Sequence, residues 1–596
     1  MQPFTTRPEI RGRFGVATST HWIASAAGFG ILERGGNAFD AAVAAGLVLQ
    51  VVEPHLNGPA GDLPAIFFSA TTGKTQVLAA QGPAPAGATI EHYKSLGLEL
   101  IPGSGLLSTV IPGAFDGWML MLRDHGSLPL AEIMEPAITY ARDGHPLLPR
   151  VAATIAGLQD YFETEWPSSA ETWCPDGKAP AANSTFQNPD LAQTYQRLVD
   201  IASAAGTDRK VQIEAARQAW SQGFVAEAIG DYLDHAEVHD VSGQKHRAVL
   251  NREDLAGWSA TYEAPLSYDY HGWTVHKTQS WSQGPVLLQA LAILKHFDLA
   301  AMDPLGAEFT HTVIEAIKLA YADREAYYGD PAQSTVPIEV LLSDSYNAER
   351  AALISGQASL EQRPGRVDGF EHLAEAYIER AARDFGVSDA PPQEPTMAHL
   401  TEKRGDTVHL DVIDRWGNMV SATPSGGWLQ SNPVIPGLGF PLNSRAQMFW
   451  LEDGLPSSLA PGRRPRTTLT PSLAEKDGTR LVFGTPGGDQ QDQWQLIWFL
   501  RFVHHGLDLQ HGMDAPLFHS MHFQSSFYPR AALPGEMMIE QAVGQAVVED
   551  LRARGHIVTV AEDWSVGRLT AALRHSDGSL QAAATPRLMQ AYAVGR

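Results

Sequence analysis

A hairpin that opens with a threonine hydroxyl is the feature that most constrains this chain. Residues 408–414 alternate like a strand, residues 415–418 contain Gly and Asn as a turn would, and residues 419–423 return as a second strand. Thr407 stands at the mouth of the first strand, directly after a polar stretch that contains glycine and ends at Asp406. We therefore expect a sheet in which the rest of the chain covers this hairpin.

The position of Thr407 predicts an N-terminal nucleophile. If the chain breaks between Asp406 and Thr407, the new terminus carries a hydroxyl nucleophile and, beside it, a free α-amino group. Such an amino group titrates at about 7.7–8.0, so it can accept the hydroxyl proton without a histidine. The plainer interpretation is a threonine that merely opens a strand, and for an isolated Asp-Thr pair that interpretation would be preferred.

A pair of glycines further along the chain favours the catalytic interpretation. The short apolar strand 481–483 runs into Gly487 and Gly488, and an amphipathic helical segment follows at 490–505. Adjacent glycines at a strand-to-helix junction leave backbone N–H groups bare and pointing the same way, as in an oxyanion hole. A glycine pair alone is weak evidence because turns use it often. Here it follows both a candidate nucleophile and the hydroxyl-rich segment 466–472.

The chain resembles the γ-glutamyltransferase family through nearly its whole length. The similar segments are residues 34–44, 111–113, 135–137, 141–144, 318–324 and 329–331, followed in the family's order by the hairpin, the glycine pair and residues 514–519. The resemblance implies an α+β fold, a four-layer αββα Ntn-hydrolase sandwich built from the two subunits of one precursor. It also implies cleavage before Thr407, a large subunit 1–406, a small subunit 407–596, and transfer or hydrolysis of an acyl group from an amide.

The resemblance assigns roles residue by residue. In the catalytic group, Thr407 matches the nucleophile, Thr423 a hydroxyl that supports its amino end, and Gly487 and Gly488 the glycines of the oxyanion hole. The cut itself would fall between Asp406 and Thr407. Hydroxyl positions that face the donor substrate in the family are matched here by Ser425, Thr467 and Thr468.

Departures from the family pattern bear on the substrate. Gln81 stands where the family has the Arg that binds the donor carboxylate, which removes a bidentate clamp. Met448 stands where an acidic residue binds the α-ammonium, which leaves that cation without a partner. Arg445 and Gly427 replace a Gln and a supporting Asn. The sequence thus predicts intact amide-cleaving machinery, weak recognition of glutamate, and better use of glutaryl-like or smaller acyl groups.

The short segment 449–463 predicts a site open to water and to larger donors. A non-glutamyl amide hydrolase, like an oxamate amidohydrolase or a cephalosporin acylase, stays open as an alternative. Two rivals have less support. A metallohydrolase could use the histidines at 504, 505, 511, 519 and 522, but no third ligand stands at a typical spacing. A non-catalytic relative would be favoured had Thr407 or the glycine pair been lost. No metal or cofactor is predicted.

Net charge, apolar runs and cysteine count limit the kinds of partner and the location expected for this chain. The net charge of −24 argues against binding nucleic acid through its phosphates. No window holds 18 uninterrupted apolar residues, so no membrane span is predicted, and the first residues lack the apolar core of a secretory signal, which predicts a cytoplasmic protein. Cys174 is the only cysteine, so an intramolecular disulfide is excluded. The expected partners are a small amide substrate and the chain's own two subunits, and a homo-oligomer stays open.

Hydrophobic periodicity also places elements elsewhere in the chain. Helices are predicted at 21–34, 38–51, 130–143, 212–233 and 306–328, and strands at 65–69 and 75–80.

Overall fold

The structure, a computed structural model, describes residues 4–383 and 407–596. Asp406, on one side of the predicted cut, lies outside the described residues. The described strands are β1 Ile10–Gly12, β2 Gly15–Ser19, β3 Leu63–Ser69, β4 Lys74–Ala80, β5 His145–Pro146, β6 Thr185–Phe186, β7 Val238–His239, β8 Lys245–His246, β9 Thr261–Glu263, β10 Leu266–Tyr270, β11 Trp273–Lys277, β12 Leu410–Asp414, β13 Met419–Ala422, β14 Ser472–Lys476, β15 Thr479–Gly484, β16 Phe518–Ser520, β17 Glu536–Glu540, β18 Ile557–Ala561, β19 Thr570–Arg574, β20 Leu580–Ala584 and β21 Tyr592–Gly595.

The described helices are α1 Trp22–Glu33, α2 Ala38–Val52, α3 Ile90–Ser95, α4 Ala114–His125, α5 Leu130–Asp143, α6 Pro149–Glu165, α7 Pro167–Trp173, α8 Pro189–Ala204, α9 Arg209–Ser221, α10 Phe224–Leu233, α11 Arg252–Ala256, α12 Pro285–Leu294, α13 Ala307–Tyr327, α14 Ile338–Leu341, α15 Asp344–Ala351, α16 Glu371–Ala381, α17 Gln491–His505, α18 Leu509–Asp514 and α19 Gln545–Ala553. No helix within these residues combines the length and the apolar character needed to span a bilayer.

Two seven-stranded sheets, with antiparallel pairs throughout, form the centre of the molecule. The first sheet has the order β1-β20-β19-β15-β14-β11-β10, and the second has the order β21-β2-β12-β13-β3-β4-β9. Strand β12 of the second sheet contacts β15 and β19 of the first, so the sheets lie face to face. Helices α1 and α2 contact the second sheet, and α12 and α17 contact the first, so the fold is mixed α/β.

The predicted hairpin is confirmed and lies in the middle of the second sheet. Leu410 pairs with Ala422, and β2 and β3 flank the two strands of the hairpin. Alternate side chains point to opposite faces of a strand. Leu410 and Val412 therefore join the core under the helices, whereas Ile413 joins the core between the sheets. Each strand of the hairpin is thus buried on both faces.

Most of the predicted elements are confirmed, and two need correction. The predicted helix 212–233 is two helices, α9 and α10, because the backbone leaves helical geometry at Gly223, where φ is −103° and ψ is −145°; glycine has low helix propensity. The segment 490–505 is a helix, but Gln491 to Arg501 are buried on every face, so the amphipathic interpretation is wrong.

Candidate active site

Thr407 stands at the mouth of the hairpin of β12 and β13, at the position that the sequence predicted. It bridges to Ser425 on the opposite strand, and its Oγ1 donates to Ser425 Oγ at 3.2 Å. The backbone N–H of Val408 donates to Pro424 O at 3.1 Å, which continues the ladder of β12 and β13 outward to the nucleophile. Thr407 and Ser425 are both fully buried. The threonine hydroxyl is therefore held by a second hydroxyl on a rigid strand pair.

The hydroxyl of Thr423, predicted to support the amino end of Thr407, is hydrogen-bonded to a histidine of the same hairpin. Its Oγ1 lies 2.8 Å from Nδ1 of His409, two residues after Thr407 on the same strand. Its backbone N–H donates to Pro64 O. In the uncleaved chain Thr423 is therefore next to the nucleophile's strand without a hydrogen bond to Thr407 itself.

A buried arginine lies beside this hairpin and is only partly paired. Arg445 Nε donates to Asp62 Oδ2 at 2.6 Å, and Gln81 Nε2 donates to Asp62 Oδ1 at 3.0 Å. The backbone of Asp62 exchanges hydrogen bonds with Ser425, which ties the group to the nucleophile's partner strand. Nη1 and Nη2 of Arg445 are buried and have no hydrogen-bond partner among the residues that the structure describes. The guanidinium therefore offers a two-pronged donor to an acidic ligand.

Burial shapes the electrostatics of this group. Burial raises the pKa of the Asp62 carboxyl to about 6, against the opposing pull of Arg445. Near neutral pH Asp62 and Arg445 thus form a neutral ion pair with one edge of the guanidinium left over. Gln81, predicted to replace the family's clamp, is committed to Asp62 and to Gly82 O and so orients the carboxylate of the pair.

An apolar wall accompanies Arg445. Trp428, Met448 and Phe527 form one buried cluster, and the Arg445 guanidinium lies 5.0 Å from the centre of the Trp428 ring. Met448 therefore presents no anion here, in line with the departure read from the sequence. An α-ammonium would have to be buried against apolar side chains, which is costly.

The glycine pair forms a second part of the site. Gly487 has φ +127° and Gly488 has φ +54°, conformations that favour glycine, and a Cβ on Gly487 would overlap the Trp494 ring. No hydrogen bond from either N–H is found within the part of the chain that the structure describes. Strand β15 ends at Gly484, which touches the His409 ring, and so the loop lies close to the nucleophile's strand.

Gln283 connects the threonine pair to this loop. Its N–H donates to Thr467 O at 2.9 Å, and its Nε2 donates to Gly488 O at 3.1 Å. Thr468 Oγ1 is buried and, within residues 4–383 and 407–596, has no hydrogen-bond partner, so it could bind a ligand. The Thr467 hydroxyl accepts only a long bond, 3.4 Å, from Leu469 N–H. The structure thus brings the hydroxyl pair and the glycine pair together.

Ser526 and Phe527 connect the two parts of the site. Ser526 N–H donates to Asp489 Oδ2 at 2.8 Å, directly after the glycine pair, and Phe527 packs in the cluster of Met448. These contacts link the loop of the glycine pair to the cluster of Met448 and Trp428, while the catalytic and binding roles of the residues stay predictions.

The prediction of an open site is wrong for the single chain, since Thr407, Arg445 and Met448 are fully buried. The segment 449–463 is short, but it folds inward: Phe449, Leu451 and Leu459 join a core cluster with Tyr93 and Leu107. A short segment can cover a site when its apolar side chains anchor it.

Sequence reasoning missed three groups at the site: Asp62, Trp428 and Gln283. Asp62 meets Arg445 across 383 positions, and Gln283 meets Thr467 from a different part of the chain, so no local pattern marks these two contacts. Trp428 lies close in sequence to Ser425, to which its Nε1 donates, but its own segment carries no motif that singles it out. His409 and Asp411 are the polar members of the alternation over 408–412, and that alternation is the sequence signal that marks them.

The histidines of the rival metal interpretation form no three-ligand group within residues 4–383 and 407–596. The group that does occur there is His311, Glu315 and His556, which the sequence did not predict. His311 Nδ1 lies 2.8 Å from His556 Nε2, and the Glu315 carboxylate is paired with Lys318 and Arg363. These groups are thus engaged with protein partners.

Comparisons with known proteins cover the whole chain. The family profile described as Gamma-glutamyltranspeptidase matches residues 24–595. The oxamate amidohydrolase proenzyme of Klebsiella pneumoniae subsp. pneumoniae is 29% identical over 96% of this chain and 97% of its own. Among solved structures, LmbA2991T421A is 52% identical with a TM-score of 0.91 and covers 100% of both chains. The cephalosporin acylase from Bacillus halodurans is 28% identical with a TM-score of 0.82, over 100% of this chain and 98% of that one.

Proposed function

Because this chain belongs to the gamma-glutamyltranspeptidase family, an enzyme family of hydrolases and transferases that act on amides, we propose that it is a self-cleaving threonine amidohydrolase or acyltransferase. Cleavage before Thr407 divides it into a large subunit 1–406 and a small subunit 407–596. The two facing sheets and their outer helices then constitute a four-layer αββα Ntn-hydrolase sandwich. The name of the oxamate amidohydrolase relative, a proenzyme, supports processing.

One observation carries the proposal. Thr407 opens a central strand with its hydroxyl bonded to Ser425, and the Gly487–Gly488 loop, with positive φ at both glycines, follows the end of β15. A nucleophile on a rigid strand beside unobstructed backbone donors is the arrangement that acyl transfer needs.

Maturation begins when Thr407 Oγ attacks the carbonyl carbon of Asp406. The peptide nitrogen leaves as the new α-amino group, an ester forms, and water hydrolyses it to release the Asp406 carboxylate. In the processed enzyme that amino group takes the Oγ proton as Oγ attacks the substrate amide. The N–H groups of Gly487 and Gly488 stabilise the oxyanion, and Thr423 supports the amino end.

The tetrahedral intermediate collapses by expelling the amine, which takes the proton from the Thr407 amino group. Water or a second amine then attacks the acyl ester, which gives hydrolysis or transfer. Every step uses groups of the chain itself.

The acyl donor is proposed to carry a carboxylate and no α-ammonium. Arg445 supplies the two unpartnered donors for that carboxylate, with Thr468 as a further hydroxyl. Met448 and Trp428 supply an apolar wall where a γ-glutamyl group would need an anion. A glutaryl-like acyl amide meets both conditions.

A second candidate is a hydrolase of smaller or non-glutamyl amides. The likenesses to an oxamate amidohydrolase and to a cephalosporin acylase favour it. A panel of γ-glutamyl, glutaryl, oxamyl and short acyl amides separates the two candidates.

Self-cleavage is tested on a denaturing gel. The purified protein is expected to run as two bands whose junction lies before Thr407, and Thr407→Ala is expected to stay a single inactive chain. Cleavage of the Thr407→Ala chain at the same bond would rule out the proposed mechanism.

A further inference from the structure

Three polar side chains stand in a row on the catalytic strand. Thr407, His409 and Asp411 alternate along one face, and the next member of the row, Ile413, belongs to the apolar core between the sheets. His409 and Asp411 are fully buried. Ionisable side chains between two sheets cost free energy unless each polar atom is bonded. The burial of His409 and Asp411 must therefore be offset by hydrogen bonds or serve a function.

A continuous chain of hydrogen bonds runs through this row. Thr423 Oγ1 lies 2.8 Å from His409 Nδ1, and His409 Nε2 lies 3.0 Å from Asp411 Oδ1. Thr570 of the opposite sheet donates its hydroxyl to Asp411 Oδ2 at 2.7 Å. The chain thus begins in the first sheet and ends at the hydroxyl beside the nucleophile's strand.

The chemistry of these groups sets the direction of each bond. An ionised Asp411 only accepts, so the His409 proton lies on Nε2 and points at Oδ1. When the ring carries only that proton, Nδ1 accepts, and the Thr423 hydroxyl donates to it. The hydrogen of Thr423 is committed to His409, which leaves the lone pairs of its oxygen for another donor.

We propose that His409, held by Asp411, is a positioning residue that makes Thr423 a hydrogen-bond acceptor toward the amino end of Thr407. The inference rests on the proposed function, in which that amino group gains and loses a proton in each half-reaction. An acceptor hydroxyl stabilises the ammonium form and orients it. With the opposite ring tautomer, Thr423 would turn its hydrogen toward an ammonium and repel it.

Among the groups around His409, Asp411 is the charged one that fixes the tautomer of the imidazole ring. Within the described residues, the hydrogen bonds of the His409 ring go to Thr423, Asp411 and, at 3.5 Å, Ser421. The strands packed against the ring present Thr570 from β19 and the backbone of Gly484 from β15. Beyond these groups, Arg445 and Asp62 pair with each other beside Ser425.

The decisive variant is Asp411→Asn, which is nearly isosteric. Its amide can donate to Nε2, so the ring proton moves to Nδ1 and Thr423 becomes a donor toward Thr407. The readout is kcat/KM against pH for a glutaryl anilide with processed enzyme. Because an ammonium that loses an acceptor is easier to deprotonate, the acid limb is expected to move to lower pH by about one unit or more, the size of one charge-assisted bond. The plateau of kcat is expected to fall while KM stays unchanged.

Two controls separate positioning from simple damage. Ser421→Ala removes a neighbouring hydroxyl that donates to Phe483 O, and it is expected to leave the acid limb in place. In a Thr423→Val background, Asp411→Asn is expected to add no further shift, because its effect passes through Thr423. Simple destabilisation would lower activity or raise the acid limb, since acid unfolds a weakened protein first, and would not move that limb to lower pH.

If Asp411→Asn fails to fold or to mature, His409→Asn and His409→Leu take its place. The Asn oxygen can accept from Thr423 as Nδ1 does, so the limb is expected to stay, whereas Leu is expected to shift it. The role of His409 is overturned if the acid limb of kcat/KM stays in place or moves to higher pH in Asp411→Asn. It is also overturned if the acid limb lies at the same pH in His409→Asn and His409→Leu. A wild-type chain that neither self-cleaves nor hydrolyses amides refutes the proposed function instead.

Discussion

Replacing Arg445 with methionine should remove the preference for acyl donors that carry a terminal carboxylate. Methionine keeps an aliphatic side chain near Trp428, whose ring centre lies 5.0 Å from the guanidinium. It removes Nη1 and Nη2, the two nitrogens for which the described part of the chain offers no hydrogen-bond partner. Charge-assisted hydrogen bonds contribute about 1.5–3 kcal/mol, which corresponds to about 10- to 150-fold in binding.

The assay compares 4-nitroanilides of glutaric and pentanoic acid, which share a chain length and differ in the carboxylate. In the wild type the ratio of kcat/KM is expected to favour glutaryl by that factor. In processed Arg445→Met the ratio should fall to about one through loss on the glutaryl side, with pentanoyl hydrolysis retained. A ratio that stays within about twofold of the wild type would refute the assignment of Arg445.

A matched double variant controls for the charge left behind. Arg445→Met strands the buried Asp62 carboxylate, which Arg445 bonds at 2.6 Å, and an unpaired buried charge destabilises a protein. Asp62→Asn combined with Arg445→Met removes both charges. The double variant should recover thermal stability while its substrate ratio remains near one, which separates folding from recognition.

Three further predictions follow from the same site. Gly488→Val should lower kcat by about 100-fold or more in a folded, processed enzyme, the order expected for one lost oxyanion donor; wild-type kcat would contradict the role of the loop. A γ-glutamyl anilide should be a poorer donor than its glutaryl analogue, because Met448 offers no anion and Asp62 is already bonded; faster γ-glutamyl turnover would reveal another ammonium partner. Burial raises the pKa of Asp62 to about 6, so the KM for glutaryl donors should fall as pH drops through that value, since the protonated carboxyl leaves Arg445 with a net positive charge; a KM without this fall, or an Asp62→Asn enzyme that keeps it, would contradict the linkage.

The sequence was sufficient to predict the hairpin of β12 and β13, because a hairpin pairs residues that are close together in the chain. Alternation over 408–414, a Gly-Asn turn and a returning strand specify a hairpin without reference to the rest of the chain, and β12 and β13 confirm it. The helices α1, α2, α5 and α13 likewise matched a period of 3.6. The helix over 212–233 failed because periodicity continued through Gly223 while the backbone did not.

The arrangement of the binding groups could not be predicted in the same way. Arg445 and Asp62 meet across 383 positions, and Gln283 joins Thr467 to Gly488 from a third part of the chain. Such contacts arise when distant strands and loops dock. The inward packing of segment 449–463 had the same origin, since Phe449, Leu451 and Leu459 join a core cluster with Tyr93 and Leu107.

The interleaving of the sheets has a consequence for the molecularity of folding. Strands β2 and β3 flank the hairpin from one side of the predicted cut, while β12, β13 and β21 come from the other side, and the first sheet mixes strands in the same manner. A cut before Thr407 therefore turns one cooperative unit into a two-chain complex without separating its ladders. The unfolding equilibrium of the uncut chain would be independent of protein concentration. Refolding of the cut pair would be bimolecular, so its rate and its yield would fall on dilution. At low concentration the lifetime of the cut complex would then depend on slow unfolding, because each piece alone would expose unpaired strand edges.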